Sequence, residues 1–226
     1  SYGIYTYYMY NSDILHNTVR VSNSNYNSYC LYQYSGSRNI VYNNIFANTG
    51  IGNSIYFSTS SAFDSCDYNN YYSSSSALAY INGQYYNTIS DINSTFNWES
   101  HSLSVNPQFL GTTNNHVKEV TLNGAAKYFA IVPIDMDYET RDTIKPDIGA
   151  DEFQLPPNDA GIFKIITPNK PYLSDTQQVK VALKNYGGNP LYLVDIGWKF
   201  NGVSQTKKTW SDTLASGDTI HLNLGK

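Results

Sequence analysis

Few groups in this chain have the type and spacing to do chemistry. The first 100 residues hold no lysine, two arginines (Arg20, Arg38) and five acids: Asp13, Asp64, Asp67, Asp91 and Glu99. Asp64 and Asp67 form the best acidic pair there, offering half of a carboxylate pair or a Ca²⁺ ligand set. The plainer reading makes them turn residues that accept bonds from backbone N–H groups. A second group, Asp135, Asp137 and Glu139, occupies alternate positions just before Arg141. In an extended segment alternation puts all three on one side, as oxygen ligands of Ca²⁺ would be. A salt-bridged loop is again the plainer alternative. His16, His101 and His116 lie far apart without metal spacing such as H-x-x-x-H, and read as surface or turn residues. No serine stands in a Gly-x-Ser-x-Gly context and no Gly-rich loop precedes a helical pattern, so no catalytic residue is assigned.

Tyrosine is the remaining signal. Seventeen of the 22 lie before residue 90, several at matching places: Tyr5, Tyr32 and Tyr56, and again Tyr42 and Tyr68. Ranked phenols are candidates for binding a glycan, since each ring offers an apolar surface and a hydroxyl. The competing reading is that they stack on one another and stabilise the scaffold, by about 0.5–1.5 kcal/mol per pair.

The element that must position these residues is a repeat. A small residue, an aliphatic one and usually a tyrosine recur as Gly3-Ile4-Tyr5, Cys30-Leu31-Tyr32, Ser54-Ile55-Tyr56 and Ala77-Leu78-Ala79. A second block runs His16-Asn17-Thr18-Val19, Asn43-Asn44-Ile45-Phe46 and Asn69-Asn70-Tyr71-Tyr72. Both return in the same order at the period of one coil of a solenoid. Successive coils stack as parallel strands about 4.8 Å apart, so Ile4, Leu31, Ile55 and Leu78 form an interior ridge. Asn17, Asn44 and Asn70 form a ladder that satisfies turn backbone. Neither leucine-rich spacing nor a 3.6-residue apolar period is present, which leaves a parallel β-helix. Beyond residue 75 the repeat loosens. Residues 91–109 read as an excursion that returns to the stack, and Asp147–Phe153 as the last coil.

Pro156-Pro157 ends this pattern. The following residues alternate as Val179, Val181, Leu183 and as Ile196, Trp198, Phe200, with a hairpin signal at Asn201-Gly202. Strands near 160–168, 177–185, 191–200, 206–210 and 218–224 predict an antiparallel sandwich. The expected fold class is all-β: a parallel β-helix over 1–155, then a small and incomplete antiparallel β-sandwich over 158–226.

Composition narrows the partners. With 41% apolar, 15% aromatic and 14% charged residues the chain folds, and with net charge −4 it offers no basic field for nucleic acid. No apolar run reaches the roughly 20 residues of a membrane span, so no membrane insertion is expected. Cys30 and Cys66 permit one bridge at most, but fall on different columns and read as two small, partly buried residues. Both chain ends read as cut inside strand sequence.

The run Phe63–Tyr72 and the run His101–Phe109 resemble the later coils of right-handed parallel β-helix repeat proteins of the pectate-lyase-like superfamily, abundant among large exported proteins of Bacteroidota. Arg141–Phe153, ending Asp-Ile-Gly-Ala-Asp-Glu-Phe, looks like the closing motif of that group. Asn158–Gly161, Val181–Asn185 and Ile196–Trp198 resemble immunoglobulin-like adhesion modules of CARDB type. The resemblance implies that the helix is right-handed and the sandwich immunoglobulin-like. It also implies export by the type IX secretion machinery and an extracellular or cell-surface location. The repeat, the lack of a catalytic cluster and the cut ends together read as a non-enzymatic segment of a large secreted or cell-surface protein, a stalk or adhesion module with a polysaccharide or surface glycan as its candidate partner. The superfamily includes lyases and hydrolases, so the alternative is a polysaccharide lyase or glycoside hydrolase with its active site partly in upstream coils. No lyase site is visible in these residues. Apart from Ca²⁺ at the acidic triplet, no cofactor is expected.

Overall fold

The computed structural model describes residues 1–74, 77–169 and 176–226. It is 42% strand and 6% helix, an all-β chain in two compact units, Ser1–Gln154 and Leu155–Lys226.

The first unit is a β-solenoid of about three turns. Its first coil carries β1 (Tyr2–Thr6), β2 (Met9–Tyr10), β3 (Asp13–Leu15) and β4 (Thr18–Val21). The second carries β5 (Tyr29–Gln33), β6 (Gly36–Ser37), β7 (Asn39–Tyr42) and β8 (Ile45–Asn48). The third carries β9 (Asn53–Phe57), β10 (Phe63–Asp67) and β11 (Asn70–Ser73), followed by β12 (Ala79–Ile81) and β13 (Gln84–Tyr86). Equivalent strands stack in parallel: β1-β5-β9-β12, β3-β7-β10 and β4-β8-β11. β13 turns back antiparallel on β12.

Register sets the columns. Ile4, Leu31, Ile55 and Ala79 align, as do Ile14, Val41 and Cys66, and Val19, Phe46 and Tyr71. Most of these side chains belong to one buried cluster, which removes their apolar surface from water at about 25 cal/mol per Å². The expected ridge is therefore present with its last member moved one place: Ala79 stands there, not Leu78. The cysteines are free and fully buried, Cys66 within an aliphatic column, and desolvation pushes both thiols up.

One helix follows, α1 (Ile89–Phe96), which the repeat did not announce. Thr88 and Asp91 form a reciprocal capping box at its start, and Asn97 ends it in the left-handed conformation. Ile92 is buried, and Ile89, Phe96 and Trp98 pack beside it on the interior cluster. Leu103 then bridges Asn70 in parallel, continuing the third stack for one residue.

Asp147–Phe153 does not form a last coil. It contains no strand, and it lies against the outer face of the third sheet, where Gly149 N–H donates to the Asn43 carbonyl and Ala150 N–H to Thr18 Oγ1. The reason is that β8 is apolar on both faces. Phe46 points into the solenoid, while Ile45 and Ala47 join Val117, Leu122, Ala126 and Ile148 in a second core outside it. An apolar outer face must be covered, and residues 103–153 cover it.

The second unit holds β14 (Ala160–Thr167), β15 (Val179–Asn185), β16 (Leu191–Ile196), β17 (Lys199–Phe200), β18 (Val203–Ser204), β19 (Lys208–Leu214) and β20 (Thr219–Gly225). β14-β15-β20 and β16-β19 are antiparallel sheets whose apolar residues, including Val181, Leu183, Ile196, Trp210 and Leu222, meet in one core. Asn201 and Gly202, both at positive φ, make the turn between β17 and β18.

Candidate functional site

The first sheet presents tyrosine to solvent. Tyr5, Tyr32, Tyr56 and Tyr80 are consecutive partners across β1, β5, β9 and β12. Their rings are near-parallel, with centroids 5.1, 4.4 and 5.0 Å apart. Alternation along the strands throws them outward; the strand spacing then forces each ring onto the next. Tyr2 and Tyr29 flank this column, Tyr7, Tyr8 and Tyr34 extend it at one end, and Tyr85 meets Tyr80 edge-on. Because ring faces cover one another, the solvent side is a rank of ring edges and hydroxyls. Burial, followed by neighbouring phenols, raises Tyr29 and Tyr32 to about 12, so both hydroxyls keep their protons. Tyr80 completes the column and was missed; it directly follows Ala79, the true partner of Ile55.

Tyr42 and Tyr68 also stack, 6.2 Å apart, but on another face. Tyr42 is bonded to Ser65 Oγ and meets Phe129 edge-on, while Tyr68 lies flat on the His101 ring at 4.5 Å. These two are thus packed into the scaffold. Asp67 belongs to the same group: it accepts the backbone N–H of Tyr68 and of His101 and pairs with His101 Nδ1 at 2.7 Å. That is the turn role weighed for it above. Asp64 is exposed.

The asparagine ladder exists, and its third rung is Asn69 instead of Asn70. Asn17 Nδ2 donates to Asn44 Oδ1 and Asn44 Nδ2 to Asn69 Oδ1, at 2.9 and 3.0 Å, and the backbone N–H of Asn17 and Asn44 reach the same acceptors. Each rung follows a residue at positive φ: His16, Asn43 and Tyr68. The ladder ends on Glu99, which is fully buried and accepts from Asn69 Nδ2, Ser102 Oγ and Tyr71 Oη. Desolvation dominates there and lifts its carboxyl to about 7 against the pull of those three donors. His16 is a turn residue, and a buried one. Its Nδ1–H donates to the Gly149 carbonyl and its Nε2 accepts from Asn43 Nδ2. Burial and then Arg141 lower it to about 4, which keeps the imidazole neutral.

The acids of the closing segment divide by role. Asp135 accepts the N–H groups of Asp137, Glu139 and Glu152 and so is used up in the turn. Arg141 is buried, pairs with Glu152 and donates to the Gly149 and Ala150 carbonyls. Asp147 accepts from Gly124 and Phe153, and burial lifts it to about 7. Glu139 is exposed. Of the three predicted ligands, Asp137 is the one that joins a group of three ligand atoms within 4.8 Å of one another among the described residues. Its Oδ2 is 2.7 Å from His116 Nε2, and a carboxylate oxygen of Asp151 joins them, all within 4.8 Å of one another. No spacing rule links residues 116, 137 and 151; only the wrapped segment does.

Compared with family models, curated proteins and solved structures, the chain has no significant match in any of the three.

Proposed function

We propose that this chain is a non-enzymatic segment of a secreted or cell-surface protein, a rigid solenoid that engages a glycan through its tyrosine face. The observation that carries the reading is the outward column Tyr5-Tyr32-Tyr56-Tyr80, repeating once per coil. A ligand that repeats along one axis is matched by a surface that does the same. Phenol hydroxyls donate to and accept from sugar hydroxyls, and ring edges supply apolar contact. The acids and histidine most perturbed by burial support the non-enzymatic side of the proposal, because Glu99, Asp147 and His16 are each committed to bonds that hold the fold.

The finer reading is that the solenoid is a right-handed member of the pectate-lyase-like superfamily and the second unit a CARDB-type immunoglobulin-like module. A Bacteroidota surface protein exported by the type IX route would combine the two. The sequence motifs quoted above support it.

The 226-residue chain should be tested for retention on a broad panel of plant, algal and bacterial polysaccharides. Tyr32→Ala with Tyr56→Ala should weaken retention by at least about tenfold, the scale of one to two good contacts. Tyr→Phe at the same places separates hydroxyl from ring. Retention unchanged in the double alanine variant, or no retention on any polymer, ends the glycan reading. Release of reducing sugar would instead favour a hydrolase or lyase.

A further inference from the structure

We propose that His116, Asp137 and Asp151 form a binding site for a divalent transition-metal ion of the zinc class, which staples the wrapped segment at its surface. Three observations converge. The ligand atoms of the three residues lie within 4.8 Å of one another, close enough for one ion to draw them into a single shell. Asp151 is 94% buried by its 6% relative exposure, faces this cluster, and accepts no hydrogen bond from any described residue. Its neighbours are otherwise occupied: the Asp135, Asp147 and Glu152 carboxylates each accept backbone N–H groups. A carboxylate so largely enclosed, with no protein donor, is stabilised by a cation beside it. The third observation is the His116 ring. Its Nδ1 bonds to the Asn114 amide oxygen, which fixes the tautomer and leaves Nε2 for the ion, the outer-shell arrangement of metal-binding histidines.

The donor set selects the metal. One imidazole nitrogen with two carboxylates suits Zn²⁺ or a related ion with a fourth position open to water, whereas Ca²⁺ takes six to eight oxygens. The ligands come from three places that only the fold unites. His116 is in the loop anchored by the Leu110 N–H to His116 carbonyl bond. Asp137 is in the turn closed by the Ile134–Thr140 bridge. Asp151 follows Ala150, whose carbonyl accepts from Met136 N–H and whose own N–H reaches Thr18. On binding, the ion takes the place of the proton between His116 Nε2 and Asp137 Oδ2, and that proton is released to solvent.

The full chain, stripped with chelator, should be titrated with Co²⁺ while its visible absorption is followed, and with Zn²⁺ by calorimetry. One ion per chain is expected, with loss of the visible bands in His116→Ala and Asp151→Asn. Asn114→Ala, which removes the acceptor of both the His116 ring Nδ1 and the His116 backbone N–H, should weaken Zn²⁺ by about 10–100-fold. His101→Ala, in the separate pair with Asp67, should bind as the parent does. Should Asp151→Asn fail to fold by circular dichroism, the exposed Asp137→Asn gives the same readout. Equal Zn²⁺ affinity in the parent and the His116 and Asp137 variants overturns the site. So does no binding, or preferential Ca²⁺ binding that the same substitutions abolish.

Discussion

Asn44 and Glu99 show how little of a polar core is visible one residue at a time. Asn44, itself fully buried, donates to the Ile14 and Tyr42 carbonyls and to Asn69, and accepts from the half-buried Asn17. Asn44→Ala leaves several of these partners unmet, and should cost about 3 kcal/mol or more in urea unfolding. Glu99 gives a pH signature. Its folded value of about 7 stands above the ordinary 4.5, so between these the folded state holds a proton the unfolded state has released. Its contribution is full below pH 4.5, falls as pH rises towards 7, and is level above. His16 runs the other way, losing stability as pH falls from 6.5 towards 4. The two overlap, so the measurement is the difference between parent and Glu99→Gln from pH 5 to 8. The parent alone should lose stability relative to the variant across this range, and a flat difference would remove Glu99 from the account. The ladder was legible because asparagine recurs at the coil period. Its last rung was misplaced because Asn69-Asn70 copies the doublet Asn43-Asn44, while register pairs Asn70 with Ile45. Glu99 was illegible, since burial of a lone acid leaves no mark in sequence.

At the scale of elements, repetition was readable and single occurrences were not. The three stacks follow from a period that each coil confirms for the next. α1 occurs once, and its only signals are Thr88-x-x-Asp91 and apolar residues at 89, 92 and 96, easily lost in Ser- and Asn-rich sequence. The wrap over the third sheet was misread because β8 is apolar in succession, a pattern that fits a strand buried on both faces but does not name its cover. Gly149 tests that wrap. Its φ is +110°, and a Cβ there would lie 2.6 Å from Ile45 Cδ1 and 2.8 Å from Thr18 Oγ1. Gly149→Ala should therefore destabilise by about 2–3 kcal/mol. Limited proteolysis should cut first within 103–153, while the near-ultraviolet signal of the tyrosine face persists. Cutting that begins in the first three coils would show that the wrap and the solenoid are one cooperative element. The predicted metal site would appear in the same assay as protection by Zn²⁺.

For the whole molecule, the solenoid clusters and the core of the second unit share no residue among those described. Two unfolding transitions are expected by calorimetry, because each unit buries its own apolar surface. Of the three tryptophans, Trp98 lies in the first unit and Trp198 and Trp210 in the second. In Trp98→Phe, indole fluorescence should follow one transition only, and a single two-state transition would contradict this. The overall plan was legible from the break at Pro156-Pro157 and the change of alternation after it. The site uniting residues 116, 137 and 151 was not, because it depends on where a non-repeating segment comes to rest. The tyrosine column has an optical consequence too. Four phenols held near-parallel at 4.4 to 5.1 Å are not independent chromophores. Their strong far-ultraviolet transition dipoles lie close enough to couple, and the expected result is a circular-dichroism couplet that Tyr56→Ala reduces. Loss of that couplet on heating would report, without any label, that the coils have left register.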